Sequence, residues 1–305
     1  MAMKAQNKAY VFAALAVLCW STVASAFKLT LREVDYLTLL LVSSAVSTAF
    51  LFLVLVVRKR VHLISDSFAA TGRPLLRSAA NGFLNPFLYY VVLFKAYSLL
   101  PAQEAQPLNY TRPLMLVLLS APMLGQRIRP VSVAAMLVSF LGVLIISTHG
   151  DLLGLRFTNL PGALLAMGSA VVWALFWLVN VRDGRDEGLK LFLNFLFGFA
   201  YVAAAAVVLT VLGLRPAVVP HLTPAGAIGC AYTGLMEMGV AFTLWLKALR
   251  LTEATAKVSN LVFLSPFVSL IFIRVAVGER ILPSSILGLV FIAGGILLQR
   301  HISRA

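Results

Sequence analysis

The chain has 305 residues, 61% of them hydrophobic and only 12% charged, with a mean hydropathy of +0.95. Water-soluble domains run nearer about half apolar and about a quarter charged, so this composition calls for lipid as the solvent and leaves no room for a separate aqueous domain. The formal net charge of +14 raises the question of a nucleic-acid partner, which the placement of the basic residues answers below.

A bilayer core takes about 20 apolar residues per spanning helix. Apolar runs between polar or Pro/Gly breaks predict ten spans, at residues 9–27, 36–57, 78–99, 103–124, 131–148, 161–181, 190–212, 225–249, 254–276 and 283–299. The fourth and ninth are the weakest by hydropathy, because they carry Arg112 and Lys257. Lys4, Lys8, the first apolar run and Ala24-Ser25-Ala26 imitate a secretory signal with its cleavage site, but the run is long for a signal core. An uncleaved first helix is expected. Cys19 and Cys230 both lie in apolar runs, as small packing residues rather than a disulfide.

With the N-terminus in the cytoplasm, the loops alternate so that seventeen Lys/Arg fall on cytoplasmic segments and six on outer ones. That is the positive-inside bias, so both termini are expected in the cytoplasm and the protein in the cytoplasmic (inner) membrane. The basic excess therefore reads as an orientation signal, and no nucleic-acid partner is expected.

Sliding the sequence against itself by 153 residues aligns its halves. Trp20 falls on Trp173, Pro113 on Pro266, Gly125 on Gly278, Arg127-Ile128 on Arg280-Ile281, Pro130 on Pro283, Ser132 on Ser285 and Gly142 on Gly295. The register has no gap, and Trp, Pro and Gly do not coincide by abundance. The expected fold is an all-α membrane protein of ten transmembrane helices in two five-helix repeats, residues 1–150 and 154–302. Five is odd, so the second repeat is expected to be inverted, an architecture secondary transporters use around a midplane site.

The punctuation after the fourth and ninth spans is Gly125-Gln126-Arg127-Ile128-Arg129-Pro130 and Gly278-Glu279-Arg280-Ile281-Leu282-Pro283. Together with a Trp in the first helix and a Pro in the fourth helix of each half, it resembles the EamA-type branch of the drug/metabolite transporter superfamily. The resemblance covers essentially the whole chain and is closest to the aromatic amino-acid exporter group. It implies ten helices in two inverted halves, efflux of aromatic amino acids and related cations, and one chain sufficing for a pathway. The family often has Gly-Glu in both places; the first half here has Gln126.

Polar groups inside hydrocarbon each need a reason. A charge there costs on the order of 2.5–3.5 kcal/mol on insertion scales. Arg112 and Glu237 lie near the middle of their spans. They are either a structural ion pair, or a clamp in which Arg112 takes a substrate carboxylate and Glu237 an ammonium or a coupling proton. Asn81, Asn85 and Tyr89, at i, i+4 and i+8, are expected on one helix face, with Pro86 interrupting that helix. They are either interhelical hydrogen bonds or a polar wall of the pathway, as are Asn109 and Asn260. Trp20, Trp173, Phe176, Trp177, Tyr89, Tyr90 and Tyr110 offer rings for an aromatic or cationic substrate, against plain packing or an interfacial belt. Pro113 and Pro266, with Pro86, are hinge candidates. Gly82, Gly234 and Gly239 suit close helix approach.

No Walker A sequence and no His-Glu-x-x-His is present, and neither a metal nor another cofactor is expected. The expected partners are the bilayer, a small-molecule substrate and, through Glu237, protons. The leading expectation is a secondary transporter, not an enzyme. The alternatives are a carrier for another metabolite or lipophilic cation, a membrane-embedded lipid-modifying enzyme, and a channel or receptor.

Overall fold

The structure is a computed structural model; it describes residues 5–69, 72–124, 130–153, 159–180, 183–214, 222–251, 261 and 264–302. Among the described residues every regular element is helical. Two of the first-half helices are long: α1 (Ala5–Thr30) and α2 (Tyr36–Val57). Then come α3 (His62–Ala69), α4 (Arg73–Gly82), a π-type stretch Phe83–Leu88, α5 (Tyr89–Leu99), α6 (Ala102–Asn109), α7 (Arg112–Leu124) and α8 (Pro130–Ser147). The second half has α9 (Leu160–Asn180), α10 (Glu187–Val211), α11 (Pro224–Thr233), a π-type stretch Gly234–Val240 and α12 (Ala241–Leu251). It ends with α13 (Ser265–Phe272), a π-type stretch Ile273–Val277 and α14 (Pro283–Ile302).

Among the described residues five helices are long and apolar enough to cross a membrane: α1, α2, α9, α10 and the continuous stretch Pro224–Trp245. They match five of the ten expected spans, and the protein is a multi-pass helical membrane protein. The others are shorter or broken. The expected third span is divided by its π-type stretch, and the fourth is interrupted between α6 and α7 at Tyr110 and Thr111. Both hinge-candidate prolines of the fourth helices sit in a first helical turn, Pro113 second in α7 and Pro266 second in α13. Proline is tolerated there because the first turn has no partner for an N–H. The residues from 252 to 260, Asn260 included, lie outside the described residues.

Helix ends follow local chemistry. The Asp35 carboxylate accepts from the Leu37 and Thr38 N–H groups at the start of α2, Asp186 from Leu189 in α10, and Thr223 from Gly226 in α11. Gly278, at φ 79°, ends the Ile273–Val277 turn in the left-handed region that glycine enters freely.

The two halves interlock by exchange. α1 packs on α12 as α9 packs on α5, and α1 packs on α13 as α9 packs on α7. Likewise α4 lies on α10 and α11 on α2. Glycines set the closeness of the latter contacts: a Cβ on Gly82 would stand 2.4 Å from the Asn194 carbonyl, and one on Gly234 2.4 Å from the Ser43 carbonyl. Pro86 fills the space over Gly198, where a Cβ would meet its Cδ at 2.3 Å. α8 and α14 pack along each other, and the Ser139 hydroxyl donates to the Ile292 carbonyl at 3.1 Å. These two residues are equivalent under the 153-residue offset. Equivalent positions touch where a two-fold relation between copies has its axis.

In that crossing, a Cβ on Gly142 would lie 2.4 Å from the Gly288 carbonyl oxygen, whereas one on Gly294 would meet nothing within 4 Å. Gly142→Ala is expected to destabilise the fold by about 1–3 kcal/mol, read as a lower melting temperature in detergent, with Gly294→Ala near neutral. Equal melting of the two variants would refute the close crossing.

Candidate functional site

The site is built on two local breaks. α6 stops at Asn109, and α7 restarts at Arg112, so the arginine stands at a helix N-terminus where the backbone dipole adds to its positive charge. Glu237 lies in the Gly234–Val240 stretch, where the wider turn displaces the side chains that follow from simple helical spacing.

Between them is a cavity of about 110 Å³ lined by Trp20, Tyr89, Tyr90, Tyr110, Arg112, Trp173, Trp177, Glu237, Phe242 and Trp245. All four tryptophans of the chain are on that wall. They come in two pairs, Trp20 with Trp245 at 5.4 Å between ring centroids and Trp173 with Trp177 at 5.7 Å. The Arg112 guanidinium lies 4.8 Å from the Tyr110 ring centroid and 5.0 Å from that of Trp173, and donates a long hydrogen bond of 3.4 Å to the Tyr89 hydroxyl. Tyr89 in turn donates to Asn109, also at 3.4 Å, and the Asn109 amide donates to Ser169 at 2.8 Å, tying α6 to α9.

Glu237 is only 6% exposed. Its Oε1 accepts from the Tyr90 hydroxyl at 3.2 Å, and its Oε2 is buried without a hydrogen-bond partner. The Trp177 indole N–H is likewise buried and unpartnered. Among the described residues no ion pair within 4.0 Å joins Arg112 to Glu237. The two charges face one cavity without neutralising each other there. A buried group without a partner is costly, which sets these two apart from the packed polar groups around them.

The cavity is not equally closed at its two ends. Past Trp177, Phe242 and Trp245 it meets a vestibule of about 300 Å³ whose wall includes Asn180, Asp183, Arg185 and Lys190. Toward the other end only about 20 Å³ remains, between Phe27, Leu93, Tyr97 and Gln106. That end is held by polar contacts. The Lys28 ammonium donates to the Tyr97 and Leu100 carbonyls, and buried Glu104 is 2.7 Å from the His149 ring nitrogen.

In the vestibule, Asp183 and Arg185 are fixed to each other. The Arg185 guanidinium donates to both Asp183 oxygens, the shortest contact being 2.6 Å, and to the Ser78 hydroxyl at 2.9 Å. Burial alone would push the Asp183 carboxyl up; the Arg185 side-chain and backbone hydrogen bonds and the Lys190 charge hold it below the ordinary aspartate range.

Of the residues singled out from sequence, Trp20, Tyr89, Tyr110, Arg112, Trp173, Trp177 and Glu237 line the cavity, and Asn109 lines its narrow extension. Phe176 does not. It is 1% exposed and packs in the core, against Trp177 at 5.7 Å. Asn81 and Asn85 also stay off the cavity wall, buried among helices with their amides unpartnered. The expected face shared with Tyr89 is broken because Asn85 leaves helical geometry (φ −148°, ψ 119°) inside the Phe83–Leu88 stretch. Tyr90, named with the other rings, also lines the cavity; Phe242 and Trp245 were not singled out as candidates. Trp245 lies eight residues after Glu237, but the Gly234–Val240 stretch between them departs from regular helical spacing, so counting along the span does not place it.

A polytopic helical chain with a central polar-aromatic cavity is the architecture of a membrane transporter. The family model "EamA-like transporter family" matches twice, at residues 7–148 and 160–299, and the chain belongs to that family. Among similar proteins are the aromatic amino acid exporter YddG of Ancylobacter novellus, 27% identical over 75% of each chain, and Protein PecM of Dickeya dadantii, 28% identical over 75% of each. An uncharacterized transporter of Clostridium kluyveri is 26% identical over 75% of this chain and 73% of its own. A solved crystal structure of a protein with 22% identity covers 98% of both chains at a TM-score of 0.66, which shows the fold.

The Asp183–Arg185 pair gives a prediction with a definite sign. Because the folded carboxyl titrates below the unfolded value of about 3.9, its contribution is present above that pH and is lost as pH falls through the folded value. Asp183→Asn is expected to lower stability at pH 7 by on the order of 3 kcal/mol and to flatten the loss of melting temperature between about pH 5 and pH 3. An unchanged acid limb in that variant would count against the pair.

Proposed function

We propose that the chain is a secondary transporter that exports small organic solutes, with aromatic or hydrophobic amino acids as the substrate class, across the cytoplasmic membrane. The working unit is one chain of ten membrane helices, in two inverted five-helix repeats spanning residues 1–150 and 154–302, that exposes one site alternately to each side. Both termini are cytoplasmic in this reading, so the vestibule beside Asp183 and Lys190 faces the cytoplasm and the site is open to its source of cargo.

The observation that carries the reading is the pair of opposite charges, Arg112 and Glu237, on one aromatic cavity and not bonded to each other. A zwitterion supplies what each lacks. Its carboxylate suits the Arg112 guanidinium and the Trp177 N–H, its ammonium suits the free Glu237 oxygen, and a hydrophobic side chain suits the tryptophan walls. The relative named as an aromatic amino acid exporter supports the same class. A lipophilic cation would satisfy Glu237 and the rings but would meet Arg112 in the same small space, which disfavours it. Catalysis is not part of this reading. Glu237 is also the residue proposed to carry a coupled proton, since Tyr90 holds one of its oxygens and leaves the other for either cargo or proton.

In proteoliposomes, trans substrate is expected to accelerate tracer uptake of an aromatic amino acid, as a carrier requires and an open pore does not. Arg112→Gln and Glu237→Gln are each expected to raise the half-saturating concentration by about tenfold or more, the loss of one charge-assisted hydrogen bond. Transport and affinity left intact by both substitutions would sink the reading. If Glu237 carries the proton, an imposed pH gradient drives flux in the wild type and not in Glu237→Gln; flux indifferent to the gradient would exclude coupling.

A further inference from the structure

The narrow end of the pathway is shut by a contact between the two halves of the chain. α6 begins after Pro101, which has no side-chain group to cap it. Its free N–H groups are instead taken by a residue from the other half of the chain. One Glu279 carboxylate oxygen accepts from Ala102 N–H at 2.9 Å and the other from Gln103 N–H at 3.2 Å. An anion on a helix N-terminus is favoured by the dipole as well as by the hydrogen bonds.

The Gln103 side chain completes the lock. Its amide N–H₂ donates to the Arg280 carbonyl at 3.0 Å, and its carbonyl accepts from the Leu282 N–H at 2.9 Å and from the buried Ser285 hydroxyl at 3.0 Å. The loop between α13 and α14 is thus fastened to the start of α6, the helix that leads through Asn109 and Tyr110 to Arg112. Opening that end requires these bonds to break.

We propose that Glu279 and Gln103 are the gate residues at the narrow end, and that their bonds across the two halves keep it shut, so the chain rests with its vestibule open. The proposal builds on the alternating-access reading and adds a named residue that sets which side the site faces at rest. Glu279 is a positioning residue in this scheme, acting through α6 rather than by touching cargo.

Side-specific cysteine labelling without substrate tests it. In a background with Cys19 and Cys230 replaced, Leu93→Cys reports access to the narrow end and Asn180→Cys access to the vestibule, each probed with a membrane-impermeant maleimide. Glu279→Gln is expected to raise labelling at Leu93→Cys by roughly tenfold and to lower it at Asn180→Cys, the population shift that about 1.4 kcal/mol produces. Gln103→Ala, which removes three hydrogen bonds from the same contact, is expected to move both reporters the same way, and it carries the test alone if Glu279→Gln fails to accumulate. Labelling unchanged by either substitution, or raised at both reporters as general loosening would do, overturns the proposal. Because no cargo is present, that outcome leaves the transport reading to be judged by counterflow.

Discussion

Two opposite charges face one small cavity and are not joined to each other, and much of the architecture serves to hold them so. In a low-dielectric interior Arg112 and Glu237 would gain from direct contact. The chain prevents it by mounting them on different helices, at breaks that fix their direction. Arg112 is held by the restart of the fourth helix and by the Tyr110 and Trp173 rings, and Glu237 by a widened turn and the Tyr90 hydroxyl. The rings flank the arginine, and its bond to the Tyr89 hydroxyl is a long one at 3.4 Å.

The interlocking of the halves bears on how the proposed change of access would combine with a rigid site. Each third helix lies on the second helix of the other half, with glycines bringing backbones into contact, and each first helix lies on the last part of the other half's third helix. Tight packing of this kind does not deform gradually; it moves between discrete arrangements. In the proposed scheme the narrow end is the latched one, held by the bonds from Glu279, Gln103 and Lys28.

Much of this was legible in the sequence, and the failures have physical reasons. The offset that pairs Trp20 with Trp173 identified two cavity walls, because large aromatic residues away from the membrane interfaces seldom recur in register by chance. Depth alone picked out Arg112 and Glu237, since charges in hydrocarbon are rare enough to be informative. Helical spacing misplaced Asn81 and Asn85, because counting by fours assumes a regular helix and the Phe83–Leu88 stretch is not one. It also left Phe176 on the wrong list: three residues from Trp173, it points into the core. The lock made by Glu279 was hidden for a different reason. Its motif was visible, but hydrogen bonds to residues 177 and 176 positions earlier leave no mark on local sequence.

Everything in the transport account depends on the halves being oppositely oriented in the bilayer. Single cysteines placed at Ile128 and Ile281, which the repeat makes equivalent, and challenged from each side in sealed, oriented vesicles test this directly. The account predicts that position 128 reacts from the cytoplasmic side alone and position 281 from the outer side alone. Reaction of both from the same side would contradict it.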